Sequence, residues 1–216
     1  MSNRLARITI LAIIGASLAS CTTTAAGNPV PDQVNSAEAP TSETSPSGDE
    51  PPADDELPSD GAPKVRNPLD ASHFEKNPCD ALTAEQANAL NVDPAGTRSD
   101  TDFGPGCAWR NPDTGGNFHF GVLTKVKRGL SDAYRSNENG TYAYFKPIAD
   151  LEGFPAVAFD TDKNPTVQCS VVVGLTDQRV IQTLTQLSSD NIGQRDSCEV
   201  AIMATGETMK TIKAGS

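Results

Sequence analysis

The first pattern along the chain is an apolar run from Ile8 to Leu18, about eleven residues, behind Arg4 and Arg7. It is too short to span a bilayer and has the length of a signal-peptide core. The pattern then lapses. From Thr22 to about Asp70 no stretch alternates, no aromatic residue occurs, and nine prolines interrupt a Ser, Thr, Ala, Asp and Glu background. Such a segment buries too little apolar surface to offset chain entropy, so it reads as a disordered tether.

Periodic patterns resume beyond residue 71. Thr83-Ala84-Glu85-Gln86 is a capping box, with Leu82 as a staple toward Ala87, and predicts a short helix over 83–90. Cys107-Ala108-Trp109-Arg110 reads as a strand. Asn111 to Gly116 then reads as a hairpin loop. Phe118, Phe120, Val122 and Thr124 alternate with His119, Gly121, Leu123 and Lys125, which predicts a strand over 117–126. Gly129 to Ser136 reads as a brief helix, Tyr142 to Ile148 as extended chain, and Gly153-Phe154-Pro155 as a turn before a strand at Ala156–Phe159.

The β-branched runs 167–174 and 179–187, either side of Leu175 to Gln178, form the clearest hairpin. Asp196-Ser197-Cys198-Glu199 opens a last helix, with Ala201, Ile202, Thr205, Met209 and Ile212 near one face. Mostly antiparallel strands with helices at the start, middle and end predict an α+β fold. The expectation is one domain over 71–216, a twisted sheet with helices packed on a face.

Cysteine changes this picture most. Cys21 closes Leu18-Ala19-Ser20-Cys21, the ending of a lipoprotein signal, so residues 1–20 are expected to be removed and Cys21 to carry a diacylglyceryl group. The tether then spans 21–70, the protein sits on the extracytoplasmic face of the cell membrane, and the lipid is its membrane contact. Four more cysteines follow: Cys79, Cys107, Cys169 and Cys198. An even count in an exported domain reads as two disulfides, with three pairings open. The spacing favours Cys79–Cys107 and Cys169–Cys198. No two of the four stand as a close pair, which argues against a thiolate metal site.

Net charge is −11, with ten acids against Lys64 and Arg66 in the tether. That balance gives no electrostatic case for nucleic acid. Candidate chemistry is sparse, and no cofactor or metal site is expected. His73 ends the tether, and His119 sits on a strand, turned to solvent or a groove. Asp100 with Asp102 and Asp160 with Asp162 read as solvated turns. Lys125, Lys127 and Arg128 read as a solvated strand end. Trp109 is expected to pack over a disulfide. Tyr142, Tyr144 and Phe145, after the Asn139-Gly140 turn, are the candidate binding surface, with core packing as the alternative.

Asn77-Pro78-Cys79-Asp80-Ala81-Leu82-Thr83 and Gly106-Cys107-Ala108-Trp109, behind a lipobox and an acidic spacer, resemble the actinobacterial lipoproteins grouped as domain of unknown function 3558. The resemblance covers about residues 75–213. It implies that Cys79 and Cys107 match the family's paired cysteines, that the source is an actinomycete, and no established activity. The expectation is a non-catalytic envelope domain that binds a small apolar ligand or an envelope protein. An enzyme acting on wall or lipid material, or a structural accessory subunit, remains the alternative.

Overall fold

The structure, a computed structural model, describes residues 56–215. The signal segment, Cys21 and most of the tether lie outside the described residues. Among the described residues no helix is long and apolar enough to cross a membrane.

Seven strands form one sheet: β1 (Thr97–Arg98), β2 (Gly106–Arg110), β3 (Asn117–Val122), β4 (Tyr144–Leu151), β5 (Phe154–Asp160), β6 (Gln168–Gly174) and β7 (Val180–Gln186). Their order is β1-β2-β3-β7-β6-β5-β4, and every pairing is antiparallel. The helices are α1 (Ser72–Lys76), α2 (Ala84–Ala89), α3 (Leu130–Glu138) and α4 (Ser197–Ala214), with a 3-10 turn at Pro78–Ala81. After β3 the chain crosses through α3 to the far edge of the sheet. It then returns as a four-strand meander, so that β7 closes against β3.

The α+β fold expected from the pattern is the one observed. Strands alternate their side chains between two faces, and each face has its own core. On one face, Phe118, Phe120, Val171, Val173 and Ile181 pack under Ala201, Ala204, Met209 and Ile212 of α4. On the other, Val157, Phe159, Val172 and Val180 pack under Leu130 and Ala133 of α3. The two inner layers come from a single sheet because β5 and β6 carry runs of successive apolar residues, and β7 does so at Val180-Ile181.

Local rules explain how the helices sit. Thr83 accepts from the Gln86 amide at 3.2 Å, and the Gln86 side chain accepts from the Thr83 amide at 2.9 Å, completing the capping box. The same Gln86 donates to the Glu207 carbonyl at 2.8 Å, so the capping residue also docks α2 on α4. Asp196 caps α4 by accepting from the Cys198 and Glu199 amides. Mid-helix, Thr205 donates to the Ala201 carbonyl at 2.6 Å, leaving its oxygen to accept from Thr183 on β7 at 2.6 Å. The disulfides are Cys79–Cys107 and Cys169–Cys198. The first fastens the 3-10 turn to β2, and the second fastens the first turn of α4 to β6. Trp109 is buried and packs on Phe118 with ring centroids 5.9 Å apart. A Cβ at Gly96 would meet Trp109 Nε1 at 2.6 Å and Cys107 Sγ at 2.7 Å, so this glycine lets the chain close over both.

Three expectations need correction. Packed structure begins before residue 71: Val65 is buried in the α4-side core, its amide donates to Asp177 at 2.8 Å, and the Leu69 amide donates to the Leu175 carbonyl. Residues 56–70 are thus a strap across the β6–β7 turn rather than tether. Phe154 and Pro155 belong to β5, because the β4–β5 turn is Glu152-Gly153, both at positive φ as a two-residue hairpin requires. Asp160 is buried, and its carboxylate accepts from the Asp162 amide at 2.8 Å, so this pair is not a solvated turn.

Candidate functional site

The face carrying α3 is only partly covered by that helix. Beside α3 a groove of about 670 Å3 opens. Val172 and Val180 from β6 and β7, Phe159 from β5, Tyr142 from the α3–β4 loop, and Leu123 and Val126 from the turn after β3 give it an apolar floor and walls. Phe103, 59% exposed, stands at its edge on the tight turn closed by the Thr101–Gly104 bridge. Asp102, Lys125, Asp132 and Gln182 give the rim its polar groups. A volume of this size with an apolar lining and few polar groups is what small-ligand sites share.

The three aromatic residues expected to form one surface are divided. Tyr144 and Phe145 are neighbours on β4, so the pleat sends them to opposite faces. Tyr144 packs on the α4-side core, Phe145 on the α3-side core. Tyr142 and Phe145 do stay together, stacked with centroids 6.1 Å apart. Tyr142 also meets Phe159 at 4.4 Å, and Phe145 meets Tyr134 of α3 edge-on at 5.1 Å. Tyr142 therefore belongs to the groove, whereas Tyr144 does not. Burial pushes the Tyr142 hydroxyl above its ordinary pKa, with the charge of Asp132 adding to it and the Ser136 hydroxyl opposing. At neutral pH the groove thus holds a protonated phenol, a donor rather than a charge.

The remaining polar candidates are spent on structure. His119 Nε2 lies 2.9 Å from the Ser99 carbonyl, and exposed His73 pairs with Asp80. Lys127 donates to the Thr124 carbonyl. Among the described residues no three His, Cys, Asp or Glu side chains stand close enough to hold a metal ion.

Arg128 corrects the reading of its cluster as a solvated strand end. It donates to Ser59 Oγ at 2.7 Å and to Asp60 at 3.3 Å, while Arg135 donates to Asp60 at 3.2 Å. The Ser59 amide completes the junction by donating to Ser131 Oγ at 2.9 Å. The strap is thereby clamped to α3, the helix that forms one wall of the groove. The Ser59 hydroxyl, then Arg135 and Arg128, hold the Asp60 carboxyl below the usual carboxylate range. A lowered folded pKa stabilises above the unfolded value and loses that contribution as pH falls through the folded one. Asp60→Asn should therefore lower the melting temperature at pH 7. The gap from the wild type should close as pH drops below about 4. A gap of the same size at pH 7 and at low pH would contradict the clamp.

A model described as "Protein of unknown function (DUF3558)" matches residues 16–211. The chain belongs to the DUF3558 family. The matched stretch takes in both disulfides, the strap and every residue of the groove. Comparisons with curated proteins and with solved structures give no match. The family's description names no activity. The groove itself was missed by sequence reasoning. Its lining comes from seven separate segments, and of these residues only Tyr142 was expected at a binding surface, whereas Asp102 and Lys125 read as solvated.

Proposed function

We propose that this DUF3558 protein is an exported lipoprotein, anchored through Cys21, whose domain binds a small apolar ligand in the groove beside α3. The groove is the observation that carries the reading: about 670 Å3 of apolar-lined space at a partly covered sheet face, with one wall braced from outside by the strap clamp. The sequence Leu18-Ala19-Ser20-Cys21 supports the anchor, and the two disulfides suit an oxidising compartment. A ligand that buries an alkyl or ring surface here gains about 25 cal/mol per Å2 of apolar area removed from water. The neutral Tyr142 hydroxyl and the rim groups then orient its polar end.

The test is a titration of the full chain in detergent with a dansyl-labelled C12 fatty acid. The wild type should show saturable, blue-shifted emission. Ala133→Trp, which places an indole where α3 borders the groove, should weaken that binding at least tenfold while far-ultraviolet circular dichroism and a cooperative thermal transition stay native-like. Equal binding by the two proteins would exclude the groove as the site.

A further inference from the structure

On the opposite face of the sheet lies a second, smaller pocket of about 140 Å3, between the end of α2, the first half of α4 and the ends of β3 and β7. Phe118, Leu187, Val200 and Ala204 give it an apolar wall. Its size is near that of the engineered cavity that accepts benzene, so it suits a single ring. Two polar groups at this pocket have no protein partner. Thr185, only 6% exposed and part of the lining, has a buried hydroxyl with no hydrogen-bond partner. Thr183, two residues earlier on the same face, is satisfied by Thr205, so an orphan hydroxyl is particular to the pocket end of β7. A buried hydroxyl left unpaired is costly, and native structures rarely keep one without a reason.

The second group is Arg195. It lies in the pocket lining on the loop between β7 and α4, where its amide donates to the Asn191 carbonyl at 3.1 Å. Its side chain is exposed, and among the described residues it forms no ion pair. Asp196, the adjacent acid, is occupied in capping α4. Exposed Glu199 shares a neighbouring depression with Arg195 but forms no ion pair with it, and the amides Asn91, Asn117 and Asn191 that line the pocket carry no charge, so the cation is available to an incoming anion.

From this pairing we infer that the pocket is a binding site for a small ring acid: a carboxylate held by Arg195 at the mouth, the ring against Phe118, and a hydroxyl on the far side of the ring meeting Thr185. An arginine fork fits a carboxylate in a planar, two-bond geometry. A site with a waiting buried hydroxyl discriminates against an analogue that lacks the matching group. The inference is independent of the groove, since no residue is shared between the two linings.

The experiment is isothermal titration of the full chain in detergent with 4-hydroxybenzoate, benzoate and phenol, against detergent blanks. 4-Hydroxybenzoate should saturate with a Kd of about 10–500 μM and bind roughly tenfold tighter than either truncated probe. Thr185→Val, which keeps the shape and removes the hydroxyl, should bring 4-hydroxybenzoate to the level of benzoate. Arg195→Gln should bring it to the level of phenol. Thr185→Val should also raise the melting temperature, because it removes an unpaired buried polar atom. Absence of saturable 4-hydroxybenzoate binding overturns the inference. An advantage over the truncated probes that survives both substitutions, or a lowered melting temperature for Thr185→Val, overturns it as well.

Discussion

Cys169→Ala with Cys198→Ala is expected to destabilise the domain by about 3–4 kcal/mol, the chain-entropy value for a loop of this length. The bridge closes a separation of 29 residues, and both half-cystines are buried. It also fixes the first turn of α4, directly after the Asp196 cap. That helix covers the larger core through Ala201, Ala204, Met209 and Ile212. For a domain of this size the loss corresponds to roughly 10 °C in melting temperature. The fluorescence of Trp109, the chain's only tryptophan, reports the transition from inside the same core. A shift below about 2 °C would mean that α4 is held by its packing alone.

Cys21→Ser is the other large effect, and it acts on location rather than stability. A single acyl chain binds a membrane only marginally, at about 0.8 kcal/mol per buried methylene, whereas two chains hold a protein firmly. A diacylglyceryl group on Cys21 supplies both chains from one residue. Removing the thiol should move the protein from the membrane pellet to the medium, or leave the uncleaved precursor. The domain should remain folded, because both of its cores and both disulfides are built from residues beyond the tether. Membrane partitioning identical to wild type would remove the anchor from the account.

These two variants sit at opposite ends of what the residues disclose. Cysteine spacing pointed to the observed pairings because each cysteine's partner lies within thirty residues. The Thr83–Gln86 box, the β6–β7 hairpin and the amphipathic α4 were legible for the same reason: their signals are local. The strap was not. Its composition is that of a solvated tether, and its order rests on isolated residues. Val65 reaches Asp177 and Asp60 reaches Arg135, at separations of 112 and 75 residues. A proline-rich, acidic segment looks alike whether or not two of its side chains find such partners.

The site was legible only in part. Tyr142 stood out, and it does line the groove. Grouping it with Tyr144 and Phe145 followed sequence proximity, but a strand separates neighbours by face, and only Phe145 stays beside it. Phe103, Val172 and Val180 drew no notice because a lone exposed phenylalanine and two strand valines are ordinary features one at a time. The antiparallel order, with β7 returning to β3, is what brings them to one opening.

The most direct measurement is native mass spectrometry of the full chain, extracted from the membrane in mild detergent with its disulfides intact. The expected species is a polypeptide starting at Cys21, carrying the covalent diacylglyceryl mass and lacking four hydrogens for the two bridges. A further non-covalent adduct of one apolar molecule is expected, present in wild type and lost in Ala133→Trp. A wild-type protein that flies without any adduct under conditions that retain detergent-stable complexes, or an adduct unchanged by Ala133→Trp, would contradict the groove as a ligand site.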